Sequence, residues 1–169
     1  MGWSKTAPTL PSGSSWEQTQ TTEFLSNYWK LDTVRSIARL EGTSIAIKVV
    51  ATMSNGSYGS FINPGNYHLS ATAGGTTSTD TTSYSMTEGT QTFYYVGTAE
   101  AGSTVTTVVG YVDSSASRIS KTFTAPALLG PTVYIKVGGA WKKASKVYVK
   151  SSGAWKEGQL KIKTGGAWK

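Results

Sequence analysis

Apolar and polar residues alternate along most of the chain. In residues 43–54, Ile45, Ile47, Val49, Ala51 and Met53 recur at every second position, with Ser44, Lys48 and Thr52 between them. Successive strand residues point to opposite faces, so this pattern predicts a half-buried antiparallel strand. Shorter runs at 67–73, 83–87, 90–98, 104–112 and 118–124 read as further strands, with Phe93 and Tyr95 sharing a face. Clusters of Gly, Asn, Pro and Ser punctuate them at 54–60, 63–65, 73–75 and 113–117, and Glu41-Gly42 and Glu88-Gly89 read as turns. Residues 25–40 support two readings. Leu25, Tyr28, Trp29, Val34, Ile37 and Leu40 fit helical spacing, whereas Val34, Ser36, Ala38 and Leu40 fit one face of a strand over 34–41. The strand reading is preferred, with Glu41-Gly42 turning into the next strand. Residues 1–22 are rich in Ser, Thr and Pro, have no period, and read as an extended arm.

The pattern changes near residue 129. Three copies of one unit follow each other: VYIKVGGAWK at 133–142, VYVKSSGAWK at 147–156 and LKIKTGGAWK at 160–169. Such self-similarity marks a repeated structural unit. Gly138-Gly139, Ser152-Gly153 and Gly165-Gly166 suit two-residue hairpin turns, which need positive φ. That register sets Lys136 opposite Trp141, Lys150 opposite Trp155 and Lys163 opposite Trp168, with Tyr134 opposite Lys143 on the same side. A lysine stem can cover an indole, with a cation–π contribution of about 0.5–1 kcal/mol. Val133, Ile135, Val137, Val147, Val149, Leu160 and Ile162 form the other face, which needs a partner. A lone hairpin is marginal in water, so the three are expected to join into one meander.

The expected fold class is therefore all-β. An N-terminal arm (1–22) leads into a β-sandwich of Ig-like or jelly-roll type (23–128), and a hairpin-repeat meander follows (129–169).

Charge divides the chain at the same place. Residues 129–169 hold nine lysines and one acid, Glu157, whereas residues 1–128 hold seven basic and eight acidic residues. Of the net charge of +7, the repeats contribute +8 and the first part −1. The chain has no Cys and one His, His68, which excludes disulfides, thiolate zinc sites and multi-His metal centres. No nucleophile elbow or phosphate-binding loop is present, and no cofactor is expected. The acids of the first part sit beside Gly, Ser or Thr in apparent turns, and His68 reads as a surface or packed residue, so no enzyme is expected. The start lacks the apolar stretch of a signal peptide, and nothing is long enough to span a membrane as a helix. Basic residues interleaved with aromatics raise nucleic-acid binding. One Trp per hairpin and no Arg after Arg118 argue against it.

The units VYIKVGGAWKK, VYVKSSGAWKE and LKIKTGGAWK resemble the Lys/Trp hairpin repeats of structural proteins of phages and prophages of Gram-positive bacteria. The resemblance covers about the last 40 residues. It implies a non-enzymatic tail or appendage protein of the virion, made in the bacterial cytoplasm and contacting other virion proteins. It leaves a homo-oligomer open. The units are faintly similar to choline- and glucan-binding repeats, but the period is 13–14 and the paired aromatics after Gly are missing. Trp141, Trp155 and Trp168, with Lys136, Lys150, Lys163, Tyr134 and Tyr148, are the candidate ligand-binding residues. Two uses of the tryptophans stay open. They pack on neighbouring hairpins as core, in a segment with few other large residues, or they form an exposed row that stacks on sugars beside lysines suited to an anionic cell-wall glycan. A decoration or assembly role without glycan binding, and a free carbohydrate-binding module, are the alternatives.

Overall fold

The computed structural model describes residues 2–129, 134–143, 147–158, 163–164 and 167–168. The chain divides into two compact units, Met1–Leu129 and Gly130–Lys169.

The first unit contains nine strands: β1 (Trp3–Ser4), β2 (Glu17–Leu25), β3 (Lys30–Arg39), β4 (Ser44–Ser54), β5 (Tyr67–Ala73), β6 (Thr76–Asp80), β7 (Gly89–Thr98), β8 (Thr104–Tyr111) and β9 (Ile119–Thr124). They form two antiparallel sheets, ordered β1-β7-β4-β3-β2 and β6-β5-β8-β9. The chain passes between the sheets after β4, β6 and β7, which makes a sandwich rather than a single meander.

The alternation in β4 is the clearest link from sequence to packing. Ile45, Ile47, Val49, Ala51 and Met53 are all completely buried. They face a layer that includes Tyr67, Leu69, Ala71, Val105, Val109 and Phe123 from the opposite sheet. Phe93 and Tyr95 of β7 point inward as their shared face predicts. Burying each large apolar side chain contributes about 1.5–3 kcal/mol.

Strand β3 spans Lys30–Arg39 rather than 34–41; Ser36 and Ala38 of the expected face are buried, but so is the face opposite. Its inward residues are Leu31, Thr33, Arg35, Ile37 and Arg39, all buried, whereas Val34 is 41% exposed. A hydrophobic pattern cannot find a core face that carries two arginines. Both are accepted because the interior offers oxygens. Arg35 donates to the Thr107 carbonyl (3.2 Å), the Ile119 carbonyl (2.9 Å) and the hydroxyls of Thr22, Thr33 and Thr107 (each 3.2 Å). Arg39 donates to the carbonyls of Thr43 (2.9 Å), Ala99 (2.8 Å) and Pro126.

The expected arm over residues 1–22 belongs to the sandwich. Trp3 pairs with Tyr95 across β1 and β7 and is buried. Trp16 lies 6.0 Å from Tyr94, with the Lys48 Nζ 5.8 Å from its ring, and the Ser14 hydroxyl donates to the Arg39 carbonyl. Residues 17–25 are β2 itself. A strand pairs through its backbone, so a polar edge strand leaves no apolar period to read. The same reason hides β6, whose sequence is TTSTD. Residues 83–87 are not a strand. Their one ladder bridge is Asn66–Ser85; the Tyr67 N–H donates to the Tyr84 carbonyl, the Tyr84 ring packs on Phe93, and Met86 is buried in the core.

The second unit contains β10 (Tyr134–Val137), β11 (Ala140–Lys143), β12 (Val147–Ser151), β13 (Ala154–Gly158), β14 (Lys163–Thr164) and β15 (Ala167–Trp168). These pair as three separate two-stranded sheets. The joined meander is therefore not what the described residues form. Lysines on both strands of the first two hairpins discourage edge-to-edge pairing.

Candidate functional site

The candidate site is the hairpin repeat. In the second hairpin, Ser152 (φ 52°) and Gly153 (φ 81°) form the turn. Two consecutive positive φ values give a turn whose twist matches the flanking strands, and glycine takes them without steric cost. Gly138 (φ 61°) and Gly139 (φ 85°) repeat this in the first hairpin. Gly165 and Gly166 lie outside the described residues.

The turn fixes the register. Lys136 pairs with Trp141, Lys150 with Trp155 and Lys163 with Trp168. Tyr134 pairs with Lys143, and Tyr148 with Glu157. Each of three independent hairpins thus sets a lysine directly across from a tryptophan. Directly opposed residues on one strand face have Cβ atoms about 4.5–5.5 Å apart, within reach of one ligand.

Side-chain surroundings are described for Tyr148, Lys150 and Trp155, and all three are exposed. Those of Tyr134, Lys136, Trp141, Lys163 and Trp168 lie outside the described ones, as do residues Val133, Leu160 and Ile162. Trp155 is 68% exposed and Tyr148 is 50% exposed. Of the two uses left open, core packing is not found for Trp155 among the described residues. Val149, on the other face, is 54% exposed. No Lys–Trp cation–π contact occurs in this hairpin among the described residues; the contacts that do occur lie in the sandwich, at Lys5 and Lys48.

The sandwich holds few chemically suggestive groups. Glu23 and Asp32 are cross-strand neighbours bridged by Lys30, whose Nζ lies 2.7 and 3.1 Å from their carboxylates. Hydrogen bonding to Lys30 and its charge hold the Glu23 carboxyl below its ordinary range. A general acid for glycoside cleavage needs the opposite shift. His68 projects from β5 with Nδ1 buried and without a partner; burial, then the nearby Arg118, lowers its pKa. No group of three or more His, Asp or Glu side chains able to hold a metal occurs among the described residues. No helix among them is long and apolar enough to cross a membrane.

Sequence reasoning missed a second group of exposed side chains, in the loops at 26–29 and 55–62, where Tyr28 and Tyr58 stand out from the surface. The signal available was compositional: Asn55-Gly56-Ser57-Tyr58-Gly59-Ser60 combines an aromatic with the adaptable polar residues common in binding loops.

Compared with known proteins, the chain matches no family description, no curated protein and no solved structure.

Proposed function

We propose that the chain is a non-enzymatic structural protein of a phage virion, a component of the tail or of an appendage, whose hairpin repeats attach the particle to an anionic glycan of the host surface. One observation carries this reading: the same Lys–Trp register occurs in three successive hairpins, and the described Trp155 is open to solvent. The indole face covers the C–H face of a sugar ring, and the adjacent ammonium pairs with a phosphate or carboxylate on the polymer. Each unit alone binds weakly. Three units on one chain, against a polymer that repeats, bind with an avidity no single unit has. The resemblance of the repeats to those of phage structural proteins supplies the particle.

A second reading is favoured by the exposed Val149. An aliphatic strand face beside an aromatic one also suits a protein neighbour, which would make the hairpins an assembly contact within the virion.

Co-sedimentation with Gram-positive sacculi tests the first reading. The full chain is expected to pellet with sacculi that retain teichoic acid, to be released by salt, and to stay in solution with stripped sacculi. The sandwich unit alone, residues 1–129, is expected not to pellet. Equal pelleting of both forms would place the contact in the sandwich. Failure of both would leave the assembly role as the better reading.

A further inference from the structure

The loop end of the sandwich carries a patch that the hairpin reading does not use. Tyr58 is 66% exposed, Ile62 55%, Leu25 52% and Tyr28 46%. They come from the end of β2, the connection between β2 and β3, and the long connection between β4 and β5. These loops are tied backbone to backbone: Ser57 N–H to the Ser26 carbonyl, Tyr58 N–H to that of Asn27 and Ile62 N–H to that of Tyr28, each 3.0 Å. Gly56 sits so close that a Cβ there would lie 2.4 Å from the backbone of Asn27 and Trp29. Beneath them Trp29 is buried against Phe24, with ring centroids 5.0 Å apart. The patch is therefore a preorganised platform rather than a pair of loose loops. On it the Tyr28 and Tyr58 rings stand 5.4 Å apart at 85°, so one offers its face where the other offers its edge.

The electrostatics narrow the occupant. Residues 24–29 and 54–67 contain no charged side chain, and the charges that flank the first segment, Glu23 and Lys30, are paired with each other. The polar residues beside the rings are amide and hydroxyl: Asn27, Asn55, Ser57 and Ser60, all four exposed. Four large exposed side chains are far fewer than the 20–30 residues a side of a stable protein interface. Exposed ring faces, hydrogen-bonding groups and no charge are the chemistry that recognises a neutral sugar. We propose that this platform is a second binding site, for a neutral saccharide, at the end of the sandwich opposite the one where residues 125–126 are held by Ser103 and Arg39. It differs from the Lys/Trp hairpins in the residues that form it and in ligand charge.

Affinity electrophoresis of the full chain through gels cast with mannan, galactan, dextran or xylan tests this. At least one polymer is expected to retard the chain, and about 0.5 M salt should not abolish it, because the contact involves no ion pairs. Tyr58→Ala and Tyr28→Ala are expected to weaken retardation about tenfold or more. Tyr58→Phe, which keeps the ring, should retain it, and Trp155→Ala should retain it too. Melting midpoints within about 2 °C of the parent would show that the exposed truncations leave the fold intact. Retardation by none of the four polymers, or retardation indifferent to both tyrosines, would overturn the proposal. So would a concentration-dependent dimer in sedimentation velocity that Tyr58→Ala dissolves, since the patch would then belong to a second copy. None of these outcomes depends on the hairpins, whose own test uses anionic polymer.

Discussion

Arg35 sits between the two sheets with five oxygen acceptors around its guanidinium, none of them a carboxylate. Burial pulls its pKa down to about 10. Tyr67 is the converse case. Its hydroxyl is buried without a partner, and burial pushes its pKa up. Tyr67→Phe should therefore stabilise the sandwich by about 1 kcal/mol at neutral pH, because it deletes an unsatisfied polar atom. The advantage should grow in alkali. Above its ordinary value of about 10, an unfolded tyrosine releases its proton while the buried one keeps it, so stability falls as pH rises through that value. Arg35, donating five hydrogen bonds as a cation, is common to both proteins and cancels in the comparison. The substitution removes only the falling contribution. Urea midpoints of both proteins at about pH 7 and about pH 10.5 check this; a gap that narrows at the higher pH would contradict it. These residues also mark where the sequence stops being legible. Ile45 to Met53 announce their face, because their side chains alone decide it. Arg35 and Arg39 do not, because their burial depends on carbonyls and hydroxyls contributed by residues as distant as Ile119 and Pro126.

At the scale of elements, the open edge of β9 is sealed by side chains rather than by another strand. The Gln18 and Gln20 amides of β2 donate to the carbonyls of Thr124 (2.6 Å) and Thr122 (2.5 Å), and the Thr124 N–H donates back to the Gln18 Oε1 (2.9 Å). They imitate a strand and tie the two sheets together along one side. The double substitution Gln18→Ala with Gln20→Ala should cost about 1–3 kcal/mol and expose a pairing edge, giving faster thioflavin-positive aggregation on agitation. Unchanged stability and aggregation would show that the edge needs no such cover. The hairpin turns are the opposite kind of element, written plainly in sequence. Gly153 at φ 81° takes a conformation other residues resist. Gly153→Ala should fray the second hairpin by about 1 kcal/mol and weaken attachment to anionic polymer, with the melting of the sandwich unmoved. Coupled loss of both would contradict their independence. Strands with an apolar face and turns with glycine were legible; β1, β2 and β6 were not, since polar edge strands owe their place to backbone pairing and to anchors such as Trp3. The Lys/Trp register was legible because a two-residue turn determines it. The exposure of Trp155 and the tyrosine platform were not, because exposure depends on what the rest of the chain leaves uncovered.

At the scale of the molecule, a near-neutral sandwich with its own core and a basic repeat of small hairpins divide the work. The sandwich supplies stability through burial, and the repeats carry the positive charge and, at Tyr148 and Trp155, exposed aromatic surface. Such a division predicts that binding can be removed without touching the fold. The Lys/Trp pairs are proposed as the attachment surface, and titration of purified teichoic acid into the full chain decides it. The parent is expected to bind with an affinity that falls steeply with salt, and the triple variant Trp141→Ala, Trp155→Ala and Trp168→Ala to bind about tenfold or more weakly with an unchanged sandwich melt. Equal affinity of parent and triple variant at every salt concentration would contradict it.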